Sequence, residues 1–181
     1  VEDENFNAKA AVIKITGAIA TPGELGLNSG IGIQLGPYTI PHPVQRQGLC
    51  MHHFVDIRSS DGFTLPAYVA HPIGPARGCL LVLQEIVGAN AHIRATADAY
   101  AAQGYLAVAP ATFHRVRADV ELGYTPDDIV QGVALKAAVE GLPTPGVLPD
   151  IQAAITYAAQ AGKVGIAGFC WGGLLAWRAA C

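Results

Sequence analysis

The stretch that decides the fold is KVGIAGFCWGGLLAWRAA, residues 163–180. Residues 163–169 form a short, almost wholly apolar run, which is typical of a buried strand, and residues 172–180 have the composition of a helix. Between them, residues 168–172 have the form G-x-C-x-G. A strand that turns at once into a helix around such a residue is a nucleophile elbow, which lifts the nucleophile above the edge of a sheet.

The elbow predicts the role of each residue within it. Gly168 and Gly172 are needed because strand and helix approach too closely for a Cβ, and Gly173 adds a small residue at the crowded helix start. The helix N-terminus favours the thiolate of Cys170. The backbone N–H of Trp171 faces the place where an oxyanion would form. We therefore predict that Cys170 is a nucleophile rather than a buried structural cysteine.

A second candidate site residue follows the apolar run GCLLVLQ, residues 78–84. Ligands of parallel α/β sheets bind at the carboxyl ends of the strands, so Glu85 is expected at the same edge as Cys170. The backbone N–H of Ile86 is the expected second oxyanion donor. The alternative for Glu85 is a surface or helix-capping glutamate.

Two arginines follow the next predicted strand, YLAVAP, residues 105–110. Either Arg115 or Arg117 could bind a substrate carboxylate with a bidentate guanidinium fork. The alternative is a solvated surface arginine. His114, in the same loop, is predicted to be a loop histidine rather than a catalytic one.

The remaining periodicity predicts an α/β fold with a mostly parallel sheet between helices. The predicted strands are 54–58, 63–70, 78–84, 105–110 and 163–169, and the predicted helices are 90–104, 127–142, 149–162 and 172–180. Asn90 and Gly104 suit the N-terminal and C-terminal caps of the first helix.

The composition and periodicity of the sequence change at Met51. Residues 21–50 are rich in Gly and Pro and lack sustained periodicity. We therefore hypothesise that the domain spans 51–181 and that residues 1–50 are a leader, a linker or upstream sequence. The alternative is an ordered N-terminal extension packed on the domain.

Composition excludes several classes of protein. Apolar residues make up 51% of the 181 residues, charged residues only 14%, and the net charge is −3. Neither disorder nor nucleic-acid binding is expected, and no apolar run is long enough to span a membrane. The four cysteines lack metal-ligand spacing, which favours a reducing, cytoplasmic compartment. No nucleotide-binding motif is present, and neither a cofactor nor a metal is expected.

The motifs GFCWGG, LQEIVGAN and YLAVAP, in this order, resemble the dienelactone hydrolase family (carboxymethylenebutenolidases) of the α/β-hydrolase superfamily. The resemblance covers residues 51–181. It implies that Cys170 attacks a lactone or ester carbonyl, that Glu85 helps to form the thiolate, and that water hydrolyses the acyl-enzyme. It also implies that Arg115 holds a substrate carboxylate, and it suggests a role in the degradation of aromatic compounds.

The sequence departs from this family at two points. The family commonly has an aromatic residue where Val87 stands, so a different pocket wall is expected. The family's triad also places an aspartate and then a histidine after the cysteine, whereas no histidine follows His114 here. We therefore expect a C-terminally truncated chain that is inactive and poorly soluble by itself.

Three other interpretations remain open from the sequence. Class I glutamine amidotransferases also place a cysteine in a G-x-C-x-G elbow. A non-catalytic binding protein would use Cys170 as a packed or redox thiol. A broad esterase with cysteine in place of serine would share the proposed chemistry. Neither the substrate nor the oligomeric state can be read from the sequence.

Overall fold

The computed structural model describes residues 11–16 and 51–181. Every predicted strand and helix is present, with ends that differ by a few residues at most. In chain order the elements are β1 (Ala11–Thr16), β2 (His52–Arg58), β3 (Thr64–Ala70), β4 (Cys79–Leu83), α1 (Ala91–Ala102), β5 (Leu106–Pro110), α2 (Pro126–Glu140), α3 (Leu148–Ala159), β6 (Val164–Phe169) and α4 (Trp171–Ala180).

The strands form one mixed sheet with the order β1-β6-β4-β5-β3-β2. β1, β6, β4 and β5 run parallel, whereas β3 is antiparallel to β5 and β2 is antiparallel to β3. The antiparallel edge is the predicted hairpin, and the parallel centre is the predicted set of apolar runs. The mostly parallel α/β sheet predicted from the sequence is therefore confirmed.

Both faces of the sheet are buried. Leu81 and Leu83 of β4 join a large core cluster with residues of α3 and α4 on one face. Leu80 and Val82, which alternate with them, join a smaller cluster with residues of α1 on the other face. A strand covered on both faces must be apolar throughout, which explains the continuous run in the sequence.

Local capping explains where two helices begin. The Asn90 side chain accepts hydrogen bonds from the backbone N–H groups of His92 and Ile93, as predicted for an N-cap. Thr125 and Asp128 form a reciprocal capping box at the start of α2. Asn90 follows closely after β4, so the cap of α1 lies near the carboxyl edge of the sheet.

β1 is the strand that sequence reasoning did not predict. It lies at the sheet edge, parallel to β6, with Ala11 paired to Gly165 and Thr16 to Phe169. The domain start at Met51 stays a prediction, and residues 1–10 and 17–50 lie outside the described residues. No helix in the described part of the chain is long and apolar enough to cross a membrane.

Candidate active site

Cys170 occupies a strained turn between β6 and α4. Its backbone has φ 51° and ψ −116°, a conformation that residues other than glycine rarely adopt, and its side chain is exposed. A Cβ on Gly172 would lie 2.5 Å from the carbonyl oxygens of Leu83 and Gln84. A Cβ on Gly168 would overlap the Gly172 carbonyl. The structure therefore has the predicted elbow geometry, and these two glycines are sterically required.

The sheet register brings Glu85 and Cys170 to the same edge. Leu83 of β4 pairs with Gly168 of β6, and each candidate residue lies two positions beyond its paired residue. Neighbouring strands are about 4.8 Å apart, so the two residues leave the sheet side by side.

Trp171 contributes its backbone rather than its side chain to this edge. As the first residue of α4, its N–H has no acceptor within the helix. Its indole ring is buried and stacks on Phe113, with 5.1 Å between the ring centroids. The side chain therefore anchors the elbow in the core, while the N–H remains beside Cys170.

Tyr124 is a candidate site residue that sequence reasoning missed. Its phenol Oη donates a hydrogen bond of 2.7 Å to Oε2 of Glu85. Partial desolvation, together with the Glu85 carboxylate, raises the pKa of Tyr124 to about 12, so the phenol stays a donor at physiological pH. A tyrosine in a polar loop, 39 residues from its partner, has no local pattern that could have identified it.

The loop that carries Tyr124 is tied to the turn after β4. The backbone N–H of Leu122 donates to the carbonyl of Val87 at 2.9 Å, and Nδ2 of Asn90 donates to the carbonyl of Leu122 at 2.9 Å. The Arg94 guanidinium pairs with the Glu121 carboxylate through two nitrogens. These contacts join the loop, the turn and the start of α1.

The turn after β4 is packed more tightly than the sequence indicated. Val87, expected in a pocket wall, is only 1% exposed and belongs to the core. The carbonyl of Ile86 lies against Gly132 of α2, where a Cβ would overlap it. The Gln84 side chain is buried, and neither atom of its amide group has a hydrogen-bond partner among the described residues.

Arg115 makes a different set of contacts from the one predicted. Its Nε and one terminal nitrogen bind Asp150 at 2.6 and 2.7 Å, and the other terminal nitrogen binds Asp61 at 2.7 Å. The guanidinium also lies 4.4 Å above the Phe63 ring, and the Ser59 hydroxyl donates to Asp150. The fork that would bind a substrate carboxylate is thus occupied by an internal carboxylate.

The other polar residues of that loop lie apart from this ion pair. Arg117 is exposed, and one terminal nitrogen lies 3.5 Å from Oε1 of Gln131. The His114 ring faces Phe63, with 6.0 Å between centroids, in keeping with a loop histidine. Within residues 51–181, no three His, Cys, Asp or Glu side chains are grouped as metal ligands.

A mixed sheet with a parallel centre and a nucleophile elbow at its carboxyl edge defines the α/β-hydrolase fold. The solved structure of a Klebsiella pneumoniae protein, provisionally named dienelactone hydrolase, matches this chain with a TM-score of 0.58 and 32% identity. The match covers 74% of this chain and 55% of that one. A sequence model of the dienelactone hydrolase family matches residues 65–181. The chain belongs to the dienelactone hydrolase family, as the motifs predicted.

Curated relatives show the same relationship. A Synechocystis protein provisionally named carboxymethylenebutenolidase is 35% identical over 122 residues, which are 64% of this chain and 48% of that protein. The carboxymethylenebutenolidase of Pseudomonas putida is 34% identical over 130 residues, 70% of this chain and 54% of the enzyme. The chain thus spans about half the length of these relatives.

Proposed function

We propose that the protein containing this chain is a carboxylic ester hydrolase that opens a lactone or ester with Cys170 as its nucleophile. The observation that carries the proposal is the positive-φ elbow, which presents an exposed thiol level with Glu85 on the neighbouring strand. Strained backbone of this kind persists where surrounding packing enforces it, and it clusters at active sites.

The proposed reaction has two steps. The thiolate of Cys170 attacks the substrate carbonyl, and the tetrahedral oxyanion accepts hydrogen bonds from the backbone N–H groups of Ile86 and Trp171. The C–O bond then breaks as the acyl-enzyme forms, and the released oxygen, which stays attached to the acyl group when the substrate is a lactone, takes up the proton that Glu85 received from the thiol. Water hydrolyses the thioester and restores the thiol. Glu85 is proposed to accept the thiol proton when substrate binds, because a thiol needs a nearby base to become nucleophilic.

The proposed substrate is a small lactone or ester that bears a carboxylate. The name of the Pseudomonas putida relative denotes such a compound, a carboxymethylene butenolide. Since the fork of Arg115 is engaged by Asp150, Arg117 is the better candidate of the two arginines for the substrate carboxylate. Cytoplasmic location and a role in the degradation of aromatic compounds belong to the same proposal.

The domain boundary at Met51 and the catalytic completeness of the chain also stay proposals. An α/β-hydrolase places its triad histidine after the nucleophile, and no histidine follows His114 in these 181 residues. We therefore expect the 181-residue chain to be inactive by itself, and measurable ester hydrolysis by it would overturn that expectation.

A nucleophile test on the complete protein checks the proposal. Hydrolysis of p-nitrophenyl acetate and of a carboxymethylene butenolide is compared between the native protein, Cys170→Ala and the control Cys79→Ala. We expect kcat/KM to fall at least a thousandfold in Cys170→Ala, because the covalent step is lost. Cys79 lies in the core, and its thiol donates to the Ala158 carbonyl, so its replacement is expected to change stability rather than chemistry.

The same experiment separates the rival interpretations. Membership of the dienelactone hydrolase family supports an ester hydrolase over a glutamine amidotransferase. Equal activity of Cys170→Ala and native protein would overturn the cysteine mechanism. Resistance of Cys170 to iodoacetamide in the folded protein, with no hydrolysis of either substrate, would favour a non-catalytic binding protein.

A further inference from the structure

We propose that Tyr124 is a positioning residue that holds Glu85 in its working orientation, a role that rests on the proposed function of Glu85 and Cys170. The hydrogen bond from the phenol engages Oε2 of the carboxylate. Among the described residues, no hydrogen bond reaches the other oxygen, Oε1. The pairing therefore fixes the carboxylate by one oxygen and leaves the other available to the thiol.

The Tyr124 contact is built into the fold, although the tyrosine itself is 57% exposed. The backbone of its loop is held against the turn after β4 by the bridge between Gly88 and Glu121. A Cβ on Gly88, which has φ +90°, would overlap the carbonyl of Val120. Because the loop backbone packs this closely against the turn, it has little room to move. The position of the Tyr124 phenol relative to Glu85 is therefore constrained.

Charge pairing anchors the loop from a second direction. Arg94 of α1 donates to Glu121 and also to the carbonyl of Ala89 at 2.9 Å. The Arg94–Glu121 pair is neutral as a unit and draws the loop onto the start of α1. An exposed pair of this kind contributes little free energy by itself. Here it acts together with the backbone hydrogen bonds that hold the same loop.

The groups around the Glu85 carboxylate define what this hydrogen bond does. Tyr124 donates to it from the loop, and His92 of α1 meets the Tyr124 ring edge to face, with 6.4 Å between centroids. Cys170 follows β6, the strand beside β4, at the same edge of the sheet. A donor to a carboxylate stabilises its ionised form. Tyr124 thereby holds the Glu85 carboxylate in one orientation, while substrate binding brings the thiol proton within reach.

Replacement of the phenol by a phenyl ring tests the proposal in the complete protein. In Tyr124→Phe we expect kcat to fall about tenfold with KM within twofold, the scale of one lost hydrogen bond to a charged group. The split between kcat and KM is the decisive readout, because the lost hydrogen bond orients a group that acts in the chemical step. A purely structural role would lower stability without separating kcat from KM.

Matched variants make each outcome decisive. Tyr105→Phe removes a phenol at the start of β5, the opposite end of the sheet, and should leave both kcat and KM unchanged. Native kcat in Tyr124→Phe, or a fall in kcat matched by an equal loss of stability, would overturn the proposal. The variants Glu85→Gln and Cys170→Ala test the proposed function separately from the role of Tyr124. If both variants lose activity, the proposed function stands. If both keep it, the proposed function and the role of Tyr124 are overturned together.

Discussion

At the residue scale, Arg115 shows how a side chain suited to binding a substrate carboxylate can be taken up by the fold. Asp150 is only 1% exposed, and the hydrogen bonds that Arg115 donates to the carboxylates of Asp150 and Asp61 hold the pKa of Arg115 well above its usual range. Removal of one partner from a buried pair leaves an uncompensated charge, which costs about 3–5 kcal/mol. The cluster ties the β2–β3 turn and the β5 loop to the first turn of α3.

The variant Arg115→Met separates the structural role from a substrate-binding role. We expect the free energy of unfolding to fall by about 3–5 kcal/mol in urea denaturation, with KM for the uncharged ester unchanged. Arg117→Met, the control in the same loop, should change stability by no more than about 0.5 kcal/mol. A stable Arg115→Met protein with a raised KM only for the carboxylate-bearing lactone would instead restore the predicted substrate contact.

At the scale of the element, α2 is shaped by the turn it covers. A glycine inside a helix is less favourable than alanine by about 1 kcal/mol, yet Gly132 lies in the middle of α2. Its Cα faces the carbonyl of Ile86, where a side chain would overlap backbone. Gly132 thus lowers the helix propensity of α2, but it allows α2 to pack directly on the turn that carries the proposed oxyanion donor.

Gly132→Ala tests that packing. Although alanine favours the helix, we expect the free energy of unfolding to fall by about 1–3 kcal/mol, the usual effect of overpacking. We also expect kcat to fall more than tenfold, because the turn after β4 must move and oxyanion donors tolerate little displacement. Urea denaturation and ester hydrolysis measure the two effects.

The matched control is Gly141→Ala at the end of the same helix. A Cβ there would lie 3.4 Å from the carbonyl oxygen of Ala137, an ordinary contact, so stability and kcat should stay close to native. A Gly132→Ala protein that is both more stable and fully active would show that the turn is not constrained by α2.

At the scale of the whole molecule, the described core and one edge of the sheet come from different segments of the chain. The buried residues of the larger core cluster run from Ile57 in β2 to Ala176 in α4. β1 adds a parallel strand beside β6 from far along the chain. The described core residues therefore lie in the segment proposed as the domain, whereas β1, which precedes that segment, forms the sheet edge beside β6.

Deletion of residues 1–50 from the complete protein tests this division. We expect cooperative thermal unfolding to persist, with Tm lower by no more than about 5 °C, the scale of roughly 1 kcal/mol. Self-association should increase if β6 is left as an open edge. Calorimetry and size-exclusion chromatography measure both effects, and loss of the cooperative transition would place residues 1–50 inside the folding unit.

The sequence by itself determined the succession of strands and helices within residues 51–181, the elbow and the family. These features are local, since periodicity, caps such as Asn90 and close approaches such as Gly168 depend on residues near in the chain. The placement of Glu85 and Cys170 at the same edge of the sheet also followed, because parallel strands present their carboxyl ends at one edge.

Only the tertiary structure decided which side chains meet across the loops. Arg115 and Asp150 are 35 residues apart, Tyr124 and Glu85 are 39 apart, and β1 pairs with a strand more than a hundred residues away. Such contacts depend on the paths of loops and on the rotamers that packing allows, which leave no periodic trace in the sequence. The physical reason is that local preferences determine the strands and helices, whereas burial and charge pairing between distant segments determine which side chains contact one another.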